Sequence, residues 1–167
     1  LTLVGVILLL ILASAFFSSA ETALTAASDA RMRQLAGKGN RRARLVERLR
    51  DDREGLIGSI LIGNNAVNVI ASALATSVFI SVLDDSGVLW ATITMTVILV
   101  VFAEVMPKTY ALTYSDKYAL AIAPVVRVVV IVLSPLSIAL RMLANSLIRK
   151  QDMDEADREE ELRGMIE

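Results

Sequence analysis

The sequence contains no cysteine and no histidine. The first absence excludes disulfides and thiolate metal sites, and the second removes the commonest general base and the commonest metal ligand. Any metal chemistry here must therefore use oxygen. Charge is scarce as well, at 21% of residues, and it is segregated by segment. The net charge of -1 does not come from one basic face, so nucleic acid is not an expected partner. Only three prolines occur, Pro107, Pro124 and Pro135, and each removes a helical hydrogen bond where it falls.

What is present is apolar. The 167 residues are 55% hydrophobic with a mean hydropathy of +0.60, more than the core of a soluble domain of this size needs. Leu1 to Ala27, Leu56 to Leu83 and Val88 to Val105 each hold about the 20 apolar residues that cross a bilayer. The expected fold class is an all-α integral membrane domain over residues 1–150, with spans at about 1–27, 56–83 and 88–112. Ala13-Ser14-Ala15 resembles a signal-peptide cleavage site, but no basic region precedes it and the apolar pattern runs on through Phe16, Phe17 and Leu24. The chain opens on Leu1, so a longer protein is expected.

Residues 30–54, between the first two spans, carry most of the arginines, which places them in the cytoplasm by the positive-inside rule. They read as two juxtamembrane helices parted by Gly37-Lys38-Gly39. In the second, Leu45 and Leu49 sit at i,i+4 among arginines, which fits either a helix lying on the membrane surface or a solvated charged face. The acidic turn Asp84-Asp85-Ser86-Gly87 belongs outside, and so does the N-terminus. Residues 118–148 are apolar but interrupted by Pro124, Arg127 and Ser134-Pro135. A single crossing would carry Arg141, Arg149 and Lys150 outward, so a re-entrant or bent helical pair is expected there, leaving three full crossings. Residues 151–167 read as an acidic cytoplasmic linker helix with Met153, Leu162, Met165 and Ile166 as its apolar contacts, leading toward a further soluble domain.

The polar residues inside the spans form a pattern. Ser14, Ser18, Glu21 and Thr25 share one helix face, and Asn64 or Asn65, Asn68 and Ser72, preceded by Gly63, make a second seam. Glu104 is alone in the third span, where a carboxylate is costly and by default marks function. Pro107 deprives the Ala103 carbonyl of its helical donor, beside that carboxylate. Serine, asparagine, carboxylate and carbonyl oxygens together suit a hard cation. The plainer reading is packing: small and polar residues commonly line transmembrane helix interfaces, and Lys108 at i+4 would merely neutralise Glu104. Glu21 would then cap helices or pair with loop arginines.

At Ser14-Ala-Phe-Phe-Ser18-Ser-Ala-Glu21, Leu61-Ile-Gly63-Asn64-Asn65-Ala-Val-Asn68 and Phe102-Ala-Glu104-Val-Met-Pro107-Lys108-Thr109 the sequence resembles the cyclin M / CorC family of magnesium transporters. The resemblance implies a homodimeric domain of the cell membrane, with a cytoplasmic helical belt and C-terminus, a following pair of CBS domains that bind ATP, and magnesium (Mg2+) export coupled to sodium (Na+) uptake. Carried over by motif, the ion ligands would be Ser14, Ser18, backbone near Gly63, Asn64, Asn68, Ala103 and Glu104. Serine at position 19, where many relatives have glycine, leaves open which serine oxygen points inward. No enzymatic activity is expected. A Ser/Lys hydrolase using Ser18 and Lys108 would need those groups in contact, which no sequence feature provides. A non-transporting scaffold and a passive cation channel are the remaining alternatives.

Overall fold

The computed structural model describes the backbone of residues 2–164 and the side chains of residues 2–145. Among the described residues the fold is entirely helical: α1 Thr2–Ala26, α2 Asp29–Gly37, α3 Arg41–Asp51, α4 Arg53–Leu83, α5 Gly87–Ile98, a π-helical segment Leu99–Val105, α6 Met106–Thr113 and α7 Ser115–Gly164. Capping divides the arginine-rich stretch. Asn40 Oδ1 accepts from the backbone N–H groups of Arg42 and Ala43, at 2.9 and 3.2 Å, and Asp52 Oδ1 accepts from Gly55 N–H at 3.0 Å, so α3 and α4 each begin on a side chain that satisfies an orphan donor.

Three helical stretches are long and apolar enough to cross a membrane: Thr2–Ala26, Arg53–Thr113 and Ser115–Asn145. The second turns back on itself at the short 3-10 turn Asp84–Ser86, so α4 packs against α5 as the two legs of a hairpin. Asp84 takes a left-handed φ of 49° there, which aspartate tolerates better than most residues. Gly87 follows because a Cβ at this position would meet the Ile80 backbone at 2.6 Å. With 31 residues, α4 is about 46 Å long and exceeds the hydrocarbon thickness of about 30 Å.

Two apolar clusters fix the direction of the helices. One joins Ala20, Ala23 and Leu24 of α1 to Leu56 and Ile60 of α4, and the other joins Ile7 and Ile11 to Ala71 and Ala75. Helices α1 and α4 are therefore antiparallel, with the end of α1 and the start of α4 on one edge, next to the arginines. On that edge Arg50 donates to the Ala27 carbonyl at 2.9 Å and pairs with Asp29 at 2.9 Å. Ala43, Val46 and Leu49 of α3 are buried in the first cluster, so the apolar stripe of α3 packs on the protein itself, while Arg41, Arg42, Arg44 and Arg48 are exposed.

Residues 118–148 lie within one helix with no break at Pro124 or Pro135, which corrects the expected division into two helices. The path nevertheless turns. Near its start, Asp116 accepts from Ser28 N–H at 2.8 Å on the Arg-rich edge, and Tyr118 reaches Ser19, deeper along α1. Further on, Leu133 lies against Gly63, Ser137 against Gly58, and Arg141 pairs with Asp52 and Glu54, back at the same edge. A straight helix cannot run inward along α1 and outward along α4. Pro124 is the proline between the two runs, and a missing N–H is a recognised cause of such a bend. Asp116 and Arg141 thus meet one edge. For the acidic linker the backbone is helical to Gly164; Met165 and Ile166, and the side chains of Met153 and Leu162, lie outside the described residues.

Candidate cation site

The i,i+4 spacing predicted for the two seams holds, and the structure brings the seams together. Ser14 is fully buried on α1 and its Oγ donates to Asn64 Oδ1 of α4 at 2.9 Å. One turn further along each helix, and so on opposite sides of that bond because α1 and α4 run antiparallel, Ser18 Oγ and Asn68 Oδ1 are buried with no hydrogen-bond partner among the described residues. That is unusual for this protein. The hydroxyls of Thr22, Thr25, Thr76, Thr92, Thr109 and Thr113 all bond back to the carbonyl four residues earlier, at 2.8 to 3.1 Å. Leaving a buried acceptor or donor unmade costs about 1–3 kcal/mol, so two such groups one turn from a formed Ser–Asn bond call for a ligand or a function.

The neighbouring serines Ser18 and Ser19 differ in their bonding. Ser19 Oγ donates to the carbonyls of Ala15 and Phe16, at 2.8 and 3.0 Å, and lies 2.9 Å from the Tyr118 hydroxyl. Ser18 therefore carries the uncommitted oxygen of the pair. Asn65 is exposed, which takes it out of the seam. Gly63 is buried, and a Cβ there would meet the Phe17 ring at 2.7 Å and Leu133 at 3.2 Å.

Glu104 falls inside the π-helical segment, which sequence reasoning missed because Leu99–Val105 looks the same in either register. Such insertions are rare and occur mostly as single wide turns at functional sites. The register changes which carbonyls are free. Met106 N–H donates to the Val101 carbonyl, five residues back. The Phe102 carbonyl then loses both ordinary helical donors, since Met106, four residues on, is committed, and Pro107, five on, has no N–H. Ala103 loses only Pro107 and keeps Lys108 within register. Two adjacent carbonyls, not the Ala103 carbonyl alone, thus have weakened backbone pairing beside the carboxylate.

The Glu104 side chain is half-buried and has neither a hydrogen bond nor an ion pair among the described residues. Lys108 is exposed and unpaired with it, so the neutralising pair suggested by their i,i+4 spacing is not formed. No hydrogen bond links Glu104 to Ser14, Ser18, Asn64 or Asn68 either. What joins them is packing: Ala103, next to Glu104, is buried in the cluster of Ile7, Ile11, Ala71 and Ala75, and the π segment lies against α1. Glu21 is half-buried without an ion pair among the described residues, so of its two alternatives the pairing with loop arginines is not formed, and Thr25 is exposed. Ser59, one turn before Gly63, is a further buried and unpartnered hydroxyl that spacing alone did not single out.

The profile of the cyclin M transmembrane N-terminal domain matches residues 5–167. The chain belongs to that family. Among its relatives are the UPF0053 inner membrane protein YfjD of Escherichia coli (strain K12), 40% identical over 81% of the chain and 32% of the relative, and a UPF0053 protein of Haemophilus influenzae, 32% identical over 99% of the chain and 40% of the relative. A third, the polyamine export protein of Haemophilus influenzae, is 27% identical over 86% of the chain and 36% of the relative. The chain thus spans well under half the length of the relatives it matches, and this cyclin M domain is a multi-pass membrane module.

Proposed function

We propose that this cyclin M domain is the transport unit of a sodium-coupled magnesium exporter that works by alternating access. The observation that carries the reading is the unpartnered oxygen set: Ser18 Oγ, Asn68 Oδ1 and the Glu104 carboxylate, next to the Ser14–Asn64 bond and the freed carbonyls at Phe102 and Ala103. All are hard oxygen donors, with one negative charge among them. Magnesium requires near-ideal octahedral oxygens and gives up water reluctantly, so several ligands must converge at once. A single carboxylate leaves the bound ion with net positive charge, which limits affinity and favours release, and a monovalent ion fits the same donors. The wide π turn and Pro107 supply the place where the third span bends between inward and outward states.

By the positive-inside rule the Arg-rich edge faces the cytoplasm and the N-terminus lies outside, in the cell membrane. A homodimer and a cytoplasmic CBS pair after residue 167 follow from the family resemblance. The name of one relative favours a second reading, export of a polyamine, whose ammonium groups would donate to the same carboxylate and amide oxygens.

The test is ion movement by the intact protein in proteoliposomes. Magnesium efflux that rises with an opposing sodium gradient and disappears in Glu104→Gln is the expected result. Movement of a polyamine alone would select the second reading, sodium-independent flux a passive channel, and no flux a scaffold; each overturns the exporter.

A further inference from the structure

Outside the seam, the protein's three tyrosines gather at the junction of α6 and α7. The rings of Tyr110 and Tyr114 stand 5.1 Å apart, and those of Tyr110 and Tyr118 meet edge to face at 5.8 Å. A cavity beside them is bounded by Phe16 and Ser19 of α1 and by Met106 and Pro107 at the start of α6. Into this junction Ser19 sends its hydroxyl. Its single proton serves the carbonyls of Ala15 and Phe16, so the Tyr118 hydroxyl donates to Ser19 Oγ across the 2.9 Å separation. The contact ties α7 to α1 immediately beside Ser18.

We infer that Tyr118 is a positioning residue for the cation seam, because by holding Ser19 it sets the rotation of α1 about its axis and with it the direction of the Ser18 hydroxyl. The inference rests on the cation-site reading above. A helix turns as a unit, and neighbouring residues are fixed about 100° apart around it, so a tether on residue 19 defines where residue 18 points. Near the seam the buried residues of α1, Ser14, Ser18, Ala20 and Ala23, are small, and the larger buried side chains, Ile7, Ile11 and Leu24, lie further along the helix. The other polar tie from α1 to a neighbouring span is Ser14 to Asn64, and those are themselves candidate ligands. When their oxygens turn to a cation, Ser19–Tyr118 is the bond left to hold the azimuth. Tyr118 lies at the start of α7, the helix that continues to Gly164, so displacement of that helix reaches the serine seam through one hydroxyl.

The experiment measures magnesium binding to the intact protein in detergent for Tyr118→Phe, Ser19→Ala and the double variant, with Ser18→Ala and Glu104→Gln alongside. Tyr118→Phe keeps the ring and its packing on Tyr110 and removes only the donor. A roughly 3- to 10-fold weaker dissociation constant is expected in each single variant, the effect one hydrogen bond sustains, with no further loss in the double variant and a thermal transition near that of the parent. Unchanged binding in Tyr118→Phe, or losses that multiply in the double variant, would overturn the positioning role while Ser18→Ala and Glu104→Gln still lose binding. If those two also bind as the parent does, the cation site itself fails and the inference falls with it.

Discussion

The two halves of the bundle are built differently. Beside the Arg-rich edge, fifteen buried apolar residues, drawn from six helices and from Ala27 after α1, form one cluster, with Leu24, Met32, Val46, Ile60 and Val126 almost wholly enclosed. Arg50 and Asp116 tie the end of α1 to α3 and α7 there, and Arg141 holds α7 to the start of α4. Toward the opposite edge only six residues are buried together, three of them alanines, and the π turn replaces regular helix. Lipid covers apolar side chains as well as protein does, so the thinner half need not be unstable, but it lacks the interlocking that would hold one arrangement. The unpartnered oxygen of Ser18 lies on the anchored side of the Ser14–Asn64 bond and that of Asn68 on the other, while Glu104 follows Ala103 of the thinner cluster.

Truncation in the anchored half carries the largest expected effect. Leu24→Ala removes three carbons from a site with no exposure and should cost about 2–5 kcal/mol, seen as a lowered thermal transition in detergent. A transition like the parent's would show that the cluster is not the anchor described here. Gly63→Val probes the junction and should do less. The added side chain must displace the Phe17 ring and Leu133, an overpacking cost of about 1–3 kcal/mol, and by pushing α1 from α4 it should weaken magnesium binding as well. Lost stability with intact binding would mean that the α1–α4 spacing does not define the site.

Much of this was legible in the sequence, and the exceptions share a cause. The spans follow from apolar length, and the placing of polar residues on one face of each helix from i,i+4 spacing. These are local properties. The π register of Leu99–Val105 was not legible, because apolar residues fit a wide turn as well as a narrow one. Nor was the role of Ser19, which depends on a tyrosine 99 residues away. The pairing of Glu104 with Lys108 that the plainer reading allowed is not formed, because spacing permits a contact without compelling it. For residues 118–148, the prolines indicated a change of direction, but backbone bonding on either side of Pro124 kept the helix continuous through it.

The central claim is most directly tested by calorimetric titration of magnesium into the intact protein and its Glu104→Gln and Asn68→Ala variants. Groups that only support a metal ligand are worth 10- to 100-fold in affinity, so loss of the carboxylate should weaken binding by about 100-fold or more and loss of the amide by about 10-fold. Equal affinity in all three proteins would contradict the account, and the two polar seams would then be helix packing alone.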